Sequence, residues 1–435
     1  MSDAGQDPSL VPWLFVIIGT TGSGKTKLSI ELAEALARNL QLRVEVVSAD
    51  SMQLYKHIDV LSAKASLEEQ ARVKHHLLDI ADVDDEHFCV QEYQKLAKET
   101  IQILLDAHAV PILVGGTNYY IESVIWDSKY SFTMGDSAID PALKAELEAL
   151  DDRALHARLA LVDAPRAELL HPNVRRKVMR SLEIYYSSNK RHSDWLREQQ
   201  EKAKFAWERT CFFWVSCSSE VLETRLSARV DDMVSLGLKD ELKLVANLFK
   251  TKQKPMNWTR GALQSIGLRE FKAWIENFQT TGADDETIFS DAVEQVKLHT
   301  RQYAKAQISW IKNGLLPSAT VYRLDSSDTK HWNDFVLNPA IMVASMLMQA
   351  RTREEVSAAL QASHPAVDCL IPSAPSSFKS DNAWKKYQCE YCNRTLNGDA
   401  EWSAHQKARA HKAAKSKFFK AQRASSATSS KFNDG

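Results

Sequence analysis

A phosphate-binding motif near the start of the chain constrains the fold more than any other feature of the sequence. Residues 19–26, GTTGSGKT, match the pattern G-x-x-x-x-G-K-[ST] in full. They follow the apolar run 13–18, WLFVII, and precede a stretch in which leucine recurs every four residues from Leu28 to Leu40. A strand, a glycine-rich turn and a helix in this order form a P-loop, whereas a chance glycine-rich turn would lack this context.

The chemistry of this motif suits a diphosphate or a triphosphate. Glycines let backbone N–H groups turn towards an anion, and the N-terminus of the following helix adds partial positive charge. Lys25 supplies a full positive charge, and the hydroxyl of Thr26 is suited to hold a catalytic Mg²⁺. We predict that the phosphates are bound by the whole motif: Gly19, Thr20, Thr21, Gly22, Ser23, Gly24, Lys25 and Thr26.

The order of the other segments predicts an α/β fold with two additions. Residues 44–47 and 110–114 have the pattern of buried strands and 90–107 that of an amphipathic helix, so the segments alternate as in a P-loop NTPase-like parallel sheet. A helical insertion follows, and 212–215, FFWV, returns to the sheet. The predicted boundaries are 11–135 and 207–350 for the core, 136–206 for the insertion, 361–382 for a linker and 383–424 for a small module with a basic tail.

The composition and charge of the chain are typical of a globular protein. The 435 residues carry a formal net charge of −1 and are 44% hydrophobic, which is ordinary for a globular chain of two or three domains. No apolar run approaches the roughly 18 residues of a membrane-spanning helix, so we expect no membrane partner. The six cysteines are mostly scattered, which indicates a reducing compartment. We expect a cytoplasmic location and a monomer, and the sequence leaves a nuclear or mitochondrial pool open.

One acidic residue is placed to act beside the P-loop. The strand 110–114 ends in Gly115, Gly116 and Thr117, without the aspartate that nucleotide-hydrolysing relatives carry there. The acid is Asp50, which follows the strand 44–47. Because open α/β sheets bind ligands at the carboxyl ends of their strands, Asp50 and Thr117 should approach the phosphates. The alternative for Asp50 is an acid that only caps the next turn.

Seven segments, in order, resemble the motifs of the tRNA dimethylallyltransferase family, especially its eukaryotic branch. The resemblance covers about residues 13–311. The segments are GTTGSGKT at 19–26, SADSMQLY at 48–55, VGGTNYY at 114–120, HPN at 171–173 with its basic helix, RVDDM at 229–233, SIGLRE at 265–270 and TRQYAK at 300–305.

This resemblance implies transfer of a dimethylallyl group from dimethylallyl diphosphate to N6 of an adenine in the anticodon loop of tRNA. The adenine is expected to be A37, and pyrophosphate leaves. The exocyclic amine of adenine is a poor nucleophile, so we assign Asp50 as the base that accepts its proton. Thr117 and Arg269 are the other predicted catalytic residues, with Lys25 and Mg²⁺ stabilising the charge on the leaving group. The alternative for Arg269 is a charge on a helix surface.

The predicted tRNA contacts lie in three segments. Asp50, Ser51, Met52 and Gln53 form one stretch by resemblance, and the amide of Gln53 suits an adenine edge or is an ordinary surface amide. Basic residues of the insertion form the second group, although a charged helix face is often only solvated. The family usually has a basic residue where this chain has Ala306. The predicted basic contacts are Lys144, Arg176, Lys177, Arg180 and Lys305.

The C-terminal module has the spacing of a zinc finger. Cys389-x₂-Cys392-x₁₂-His405-x₅-His411 supplies two thiolates and two imidazoles, a complete tetrahedral set for structural Zn²⁺. Chance spacing is the alternative. The stretch HQKARAHK is similar to matrin-type and double-stranded-RNA-binding fingers. Tyr387 is predicted to form the small apolar core with Trp402, and the basic tail that follows is suited to RNA.

Two other functions remain open at this level. A P-loop small-molecule kinase would transfer phosphate from ATP and would have no need of the finger. A nucleic-acid-binding protein with a degenerate nucleotide site would have lost its acid or its lysine, yet Asp50 and Lys25 are both present. Incubation with tRNA and labelled dimethylallyl diphosphate distinguishes all three.

Overall fold

The computed structural model describes residues 12–127, 139–201, 204–372, 386–392 and 394–429. The chain divides into two compact units. The first consists of Met1–Ser131 and Ala203–Pro375, and the second of Phe132–Lys202 and Ser376–Gly435. None of the helices in the described ranges combines the length and the apolar composition that crossing a membrane requires.

Helices and strands are numbered along the described part of the chain. The helices are α1 (Lys25–Leu40), α2 (Asp59–Ser62), α3 (Leu67–Arg72), α4 (Val90–Asp106), α5 (Asn118–Ile125), α6 (Pro141–Ala149), α7 (Asp152–Val162), α8 (Ala164–Leu169), α9 (Arg175–Ser188), α10 (His192–Glu201), α11 (Ser219–Ser235), α12 (Leu238–Thr251), α13 (Lys272–Thr281), α14 (Glu286–Trp310), α15 (Asn338–Met348), α16 (Arg353–Ser363), α17 (Asp399–Lys407) and α18 (Arg409–Ser429). The strands are β1 (Leu14–Gly19), β2 (Val44–Ser48), β3 (His75–His76), β4 (Val110–Val114), β5 (Thr210–Ser216), β6 (Val321–Asp325), β7 (Asp368–Leu370), β8 (Lys386–Cys389) and β9 (Arg394–Asn397). Short 3₁₀ or π-helical turns cover Gly261–Gln264, Ile311–Leu315 and Asn333–Leu337.

The first unit is built on a seven-stranded sheet in the order β3-β2-β4-β1-β5-β6-β7. The pairs from β3 to β6 are parallel, and β7 pairs antiparallel with β6. Burial on both faces explains the continuous apolar sequence of β1. Leu14, Val16 and Ile18 face one hydrophobic cluster, and Phe15 and Ile17 face the other. The prediction of a parallel α/β core is therefore confirmed.

Three strands of the seven-stranded sheet are not predicted from the sequence. β3 contains two residues, too few to give a pattern. β6 carries two exposed residues, Arg323 and Asp325, and so lacks a continuous apolar run. β7 lies inside the segment 361–382 that was interpreted as a linker. The described part of that segment, up to residue 372, also contains the end of α16, and 373–382 lies outside the described residues.

The second unit is helical in its first part. Helices α6–α9 bury a cluster that includes Leu147, Leu155, Leu159, Val178 and Leu182, in agreement with the predicted helical insertion. In its C-terminal part, β8 and β9 form an antiparallel pair that is followed by α17 and α18. The predicted contact between Tyr387 and Trp402 is present: their rings are parallel, with centroids 5.0 Å apart.

Candidate active site

Three loops of the first unit meet at the carboxyl edge of the sheet. β4 lies between β1 and β2, so the loops that follow these three strands are neighbours. They are the P-loop after β1, the Gly115–Thr117 loop after β4 and the loop after β2 that carries Asp50. The strand order therefore brings together the phosphate-binding motif, the acid and Thr117, as the sequence predicts.

Two adjoining cavities open at this edge. The first, which we call the apolar-walled cavity, has a volume of about 260 Å³, and its apolar lining is Met52, Leu61, Val230, Met233, Ile266 and Val296. The second, which we call the P-loop cavity, has a volume of about 280 Å³, and its lining includes Gly22, Gly24, Thr26, Ser48, Gln53 and His75. The residues that line both are Thr21, Lys25, Asp50 and Arg229. A ligand with an apolar group and a phosphate group would place their junction beside these four residues.

Lys25 is held inside the P-loop by the loop itself. Its Nζ donates a hydrogen bond to the carbonyl oxygen of Thr20 at 2.6 Å. Burial lowers the pKa of Lys25 to about 8, with Asp50 opposing the shift and Arg229 adding to it. The charge of Lys25 is therefore sensitive to pH in the mildly alkaline range.

Asp50 is half-buried and oriented by its own loop. Its Oδ1 accepts a hydrogen bond from the Met52 N–H at 2.9 Å, and Oδ2 accepts none within the described part of the chain. Thr117 supports this loop, because its hydroxyl accepts from the Ser51 N–H at 2.9 Å and lies 3.1 Å from the Ser51 hydroxyl. One carboxylate oxygen thus remains available to a substrate proton.

Arg229 is a site residue that the predicted set omitted. It extends from α11 to both cavities, and its guanidinium donates to the carbonyl oxygen of Ser62 at 3.4 Å. Burial lowers its pKa, while the nearby Asp50 opposes that shift. The segment RVDDM contained Arg229, but only the fold shows which of its charges faces the cavities.

Arg269 is not brought to the site. Its side chain is 52% exposed and forms an ion pair with Glu270 at 3.1 Å. The chain turns at Gly267, where φ is +105°, so that Ser265, Ile266 and Gly267 line the apolar-walled cavity and Arg269 does not. The local turn explains why an arginine in the right motif lies outside the cavity.

The predicted tRNA contacts of the first unit do not all lie in the same cavity. Ser51 and Met52 line the apolar-walled cavity. Gln53 lies in the P-loop cavity, where its Oε1 accepts from the Ser48 hydroxyl and its Nε2 donates to the Ala63 carbonyl, both at 3.3 Å. Lys305 is exposed on α14 and lines neither cavity. The amide of Gln53 is therefore committed to the protein in this conformation.

The basic residues of the insertion lie in the second unit. Arg176 and Lys177 are exposed at the start of α9, and Lys144 is half-buried on α6. Arg180 lies 3.5 Å from Glu183. Arg175 has a structural role, because its guanidinium donates to the carbonyl oxygens of Leu150 and Glu148 at the end of α6.

Four C-terminal side chains form a ligand set for one metal ion. The ligand atoms of Cys389, Cys392, His405 and His411 all lie within 4.8 Å of one another. His411 Nδ1 is 3.0 Å from His405 Nε2, 3.4 Å from Cys389 Sγ and 3.7 Å from Cys392 Sγ. These separations match the edges of a tetrahedron with metal–nitrogen bonds of about 2.0 Å and metal–sulfur bonds of about 2.3 Å. The cluster is compatible with a zinc finger.

The sequence and the fold of this chain are similar to those of several known proteins. A model of the IPP transferase family matches residues 53–314. The tRNA dimethylallyltransferase of Mus musculus is 32% identical over 416 residues, which cover 92% of this chain and 85% of the mouse protein. The Saccharomyces cerevisiae tRNA dimethylallyltransferase is 31% identical, with coverage of 92% and 91%. A solved eukaryotic dimethylallyltransferase acting on tRNA superposes with a TM-score of 0.74 at 28% identity and covers 96% of this chain and 100% of its own.

Proposed function

The chain belongs to the IPP transferase family, and on that premise we propose that it is a tRNA dimethylallyltransferase. It transfers a dimethylallyl group from dimethylallyl diphosphate to N6 of an adenine in the anticodon loop of tRNA. The target we propose is A37, and the second product is pyrophosphate. The kinase alternative is not favoured, because the relatives named above share the prenyl-transfer reaction.

The observation that carries this proposal is the junction between the two cavities. The apolar-walled cavity suits a five-carbon hydrocarbon group and the P-loop cavity suits a diphosphate. The bond between them would lie beside Lys25 and Asp50, which line both. An adenine must leave its stack to reach that point, as bases do in enzymes that modify them.

The proposed reaction accounts for each bond, electron pair and proton with residues that line the two cavities. The lone pair of N6 attacks C1 of the dimethylallyl group while the C1–O bond breaks, and its electrons remain on the pyrophosphate oxygen. Asp50 Oδ2 accepts the proton that N6 loses. Lys25 and Arg229 stabilise the charge on the leaving group, and the geometry supports Arg229 in this role over Arg269.

The remaining catalytic assignments are proposals of the same kind. Thr117 acts by fixing the loop that carries Asp50, since its hydroxyl is bonded to Ser51. The hydroxyl oxygens of Thr26 and Ser48 at the P-loop cavity suit Mg²⁺. When bound, this ion would neutralise charge on the diphosphate.

The second unit is proposed to bind tRNA. The exposed Arg176 and Lys177 are available to phosphates, with Lys144 and Arg180 of the same unit as further contacts. Lys305, on α14 of the first unit, is proposed as an additional contact. The Cys389–His411 cluster is proposed to hold structural Zn²⁺, without which so small a module would not fold. We retain the predicted domain boundaries, a monomer, and a cytoplasmic location with a nuclear or mitochondrial pool left open.

A direct assay tests the function. The protein is incubated with tRNA and dimethylallyl diphosphate labelled in its hydrocarbon, and the modified nucleoside is mapped. We expect label on N6 of the adenine and release of one pyrophosphate per transfer. Phosphate transfer from ATP to a small molecule, with unlabelled tRNA, would support the kinase instead.

A further inference from the structure

Gln307 is a buried amide at the active-site edge that the reaction described above does not use. It belongs to α14, its side chain is 1% exposed and it contributes to the wall of the apolar-walled cavity. Its Oε1 accepts a hydrogen bond from the Thr21 N–H at 3.0 Å. Its Nε2 donates to the Gly116 carbonyl oxygen at 2.7 Å. A buried amide that is satisfied at both ends holds both of its partners in place, because leaving a buried polar group unpaired is unfavourable.

Gly116 lies between the amide of Gln307 and the side chains of Lys25 and Asp50. A Cβ added at Gly116 would lie 2.6 Å from Gln307 Nε2, 3.8 Å from Lys25 Nζ and 3.9 Å from Asp50 Oδ2. The hydroxyl of Tyr303, one turn earlier on α14, also donates to the Gly116 carbonyl at 2.9 Å. The backbone at this position is therefore held by two side chains of α14, and any side chain added to it would reach both Lys25 and Asp50.

The bonds of Gln307 connect the three loops of the site. Thr21 belongs to the P-loop, and Gly116 precedes Thr117. Thr117 in turn accepts from the N–H of Ser51, the residue after Asp50. One side chain thus links the loop that holds the diphosphate to the two loops that hold the base.

We propose that Gln307 is a positioning residue that keeps the diphosphate loop and Asp50 in register for transfer. It acts through Thr21 and Gly116 and does not touch the reacting atoms. Because it occupies the Thr21 N–H, the phosphate donors of the loop are those nearer α1. This inference rests on the transferase function proposed above. The competing role is a buried amide that only stabilises the fold.

The test uses two substitutions of nearly the same size as glutamine. Gln307→Leu removes both hydrogen bonds. Gln307→Glu retains the acceptor for the Thr21 N–H but, when ionised, sets a carboxylate oxygen against the Gly116 carbonyl. When protonated, its O–H can donate to that carbonyl as the amide does, and burial raises the pKa of such a carboxyl group. Gln279→Leu is the matched control, because Gln279 Nε2 donates to the Ala246 carbonyl at 2.8 Å, between two helices of the same unit.

The measured quantities are the single-turnover rate with tRNA and dimethylallyl diphosphate both saturating, the Kd for pyrophosphate and Tm. We expect Gln307→Leu to lose about 10- to 100-fold in rate, because a misplacement of about 1 Å in a reacting pair costs about that much. The Kd for pyrophosphate should change less than threefold. For Gln307→Glu, the rate relative to wild type should rise at least fivefold between pH 8 and pH 6, while the ratio for Gln307→Leu stays flat.

The outcomes separate the two roles of the amide. Gln279→Leu should lower Tm without changing the rate. If Gln307→Leu likewise lowered only Tm and left the rate unchanged, the positioning role would be excluded. The same assay of the wild-type protein tests the proposed function separately from the role of Gln307. Failure of the wild type to prenylate tRNA would contradict the proposed function, and failure of the variants to respond would contradict only the role of Gln307.

Discussion

At the scale of the residue, the site depends on how single charges are held. Lys25 Nζ donates to the carbonyl oxygen of Thr20 in its own loop, and Asp50 has one oxygen bonded and the other available. The sequence identified both residues because each lies in a motif at the end of an apolar strand. It could not identify Gln307, because a glutamine within a helix carries no sign of burial. Nor could it separate Arg229 from Arg269, since both stand in family motifs and only the turn at Gly267 sends one outward.

The lowered pKa of Lys25 predicts a pH dependence for diphosphate binding. With a pKa of about 8, Lys25 is mostly charged at pH 7 and mostly neutral at pH 9. Only the charged form attracts the diphosphate, so the KM for dimethylallyl diphosphate should rise about tenfold from pH 7 to pH 9, as the competent fraction falls. Lys25→Arg keeps its charge and should show no such rise. A KM that stayed flat to pH 9 in the wild type would contradict this role.

The base assignment predicts a loss in the chemical step alone. Asp50→Asn retains an acceptor for the Met52 N–H but has no carboxylate to take a proton. The single-turnover rate at saturation should fall about 10²- to 10⁴-fold, the usual contribution of a general base. The affinities for tRNA and pyrophosphate should change only a few-fold. The surface substitution Asp82→Asn serves as control, and a loss smaller than tenfold for Asp50→Asn would refute the assignment.

At the scale of the element, short segments such as α2 contribute to the wall of the apolar-walled cavity, although the long helices and strands make up most of the unit. The strands β1, β2, β4 and β5 were predictable because apolar residues dominate their sequences. The four-residue helix α2 was not, although Glu241 of α12 fixes it by accepting hydrogen bonds from the N–H groups of Val60 and Leu61. These two hydrogen bonds hold Leu61 in the wall of the apolar-walled cavity, where its side chain lies against Gly267. The cavity wall thus depends on a contact between residues about 200 positions apart.

Substitution of Gly267 tests this wall. A Cβ at position 267 would lie 2.4 Å from Leu61 Cδ1, so Gly267→Ala should push Leu61 into the cavity. We expect a higher KM for dimethylallyl diphosphate and a loss of about 1–3 kcal/mol in stability, as in other overpacked cores. Gly237→Ala is the matched control, because φ there is +100° and nothing lies within 4 Å of the added Cβ. Equal effects of the two substitutions on KM would show that backbone strain, and not Leu61, is responsible.

At the scale of the whole molecule, the P-loop and Asp50 lie in one compact unit and the zinc-type cluster in the other. The sequence predicts a separate C-terminal module because its four candidate ligands have their own spacing and a basic tail follows them, but it does not predict that this module and the helical insertion fall in one unit. The position of the finger on the tRNA could not be predicted, since spacing carries no information about docking. Chemistry and RNA affinity are therefore expected to respond to different substitutions.

Removal of the finger should weaken tRNA binding without changing the chemistry. The basic residues that follow the C-terminal ligand pattern in the sequence are expected to meet phosphates and release counterions, so their contribution should fall as salt rises. Deletion of residues 383–435 should raise the KM for tRNA and flatten the salt dependence of binding, with little change in rate at saturating tRNA. Cys392→Ser should behave similarly because it removes a metal ligand, whereas Cys89→Ser, at an exposed thiol, should not. Equal tRNA affinity of the full and shortened chains across a salt series would contradict this role.

The antiparallel strand β7 determines where the chain can be shortened safely. It lies at the end of the sheet and covers the hydrogen-bonding edge of β6. A protein that ended after α16, at residue 363, would leave that edge unpaired, and an unpaired edge is a template for strand addition from a second molecule. Such a protein would form intermolecular sheets and lose activity through aggregation, whatever the finger contributes. A version that isolates the first unit should therefore extend at least to Leu370, the last residue of β7.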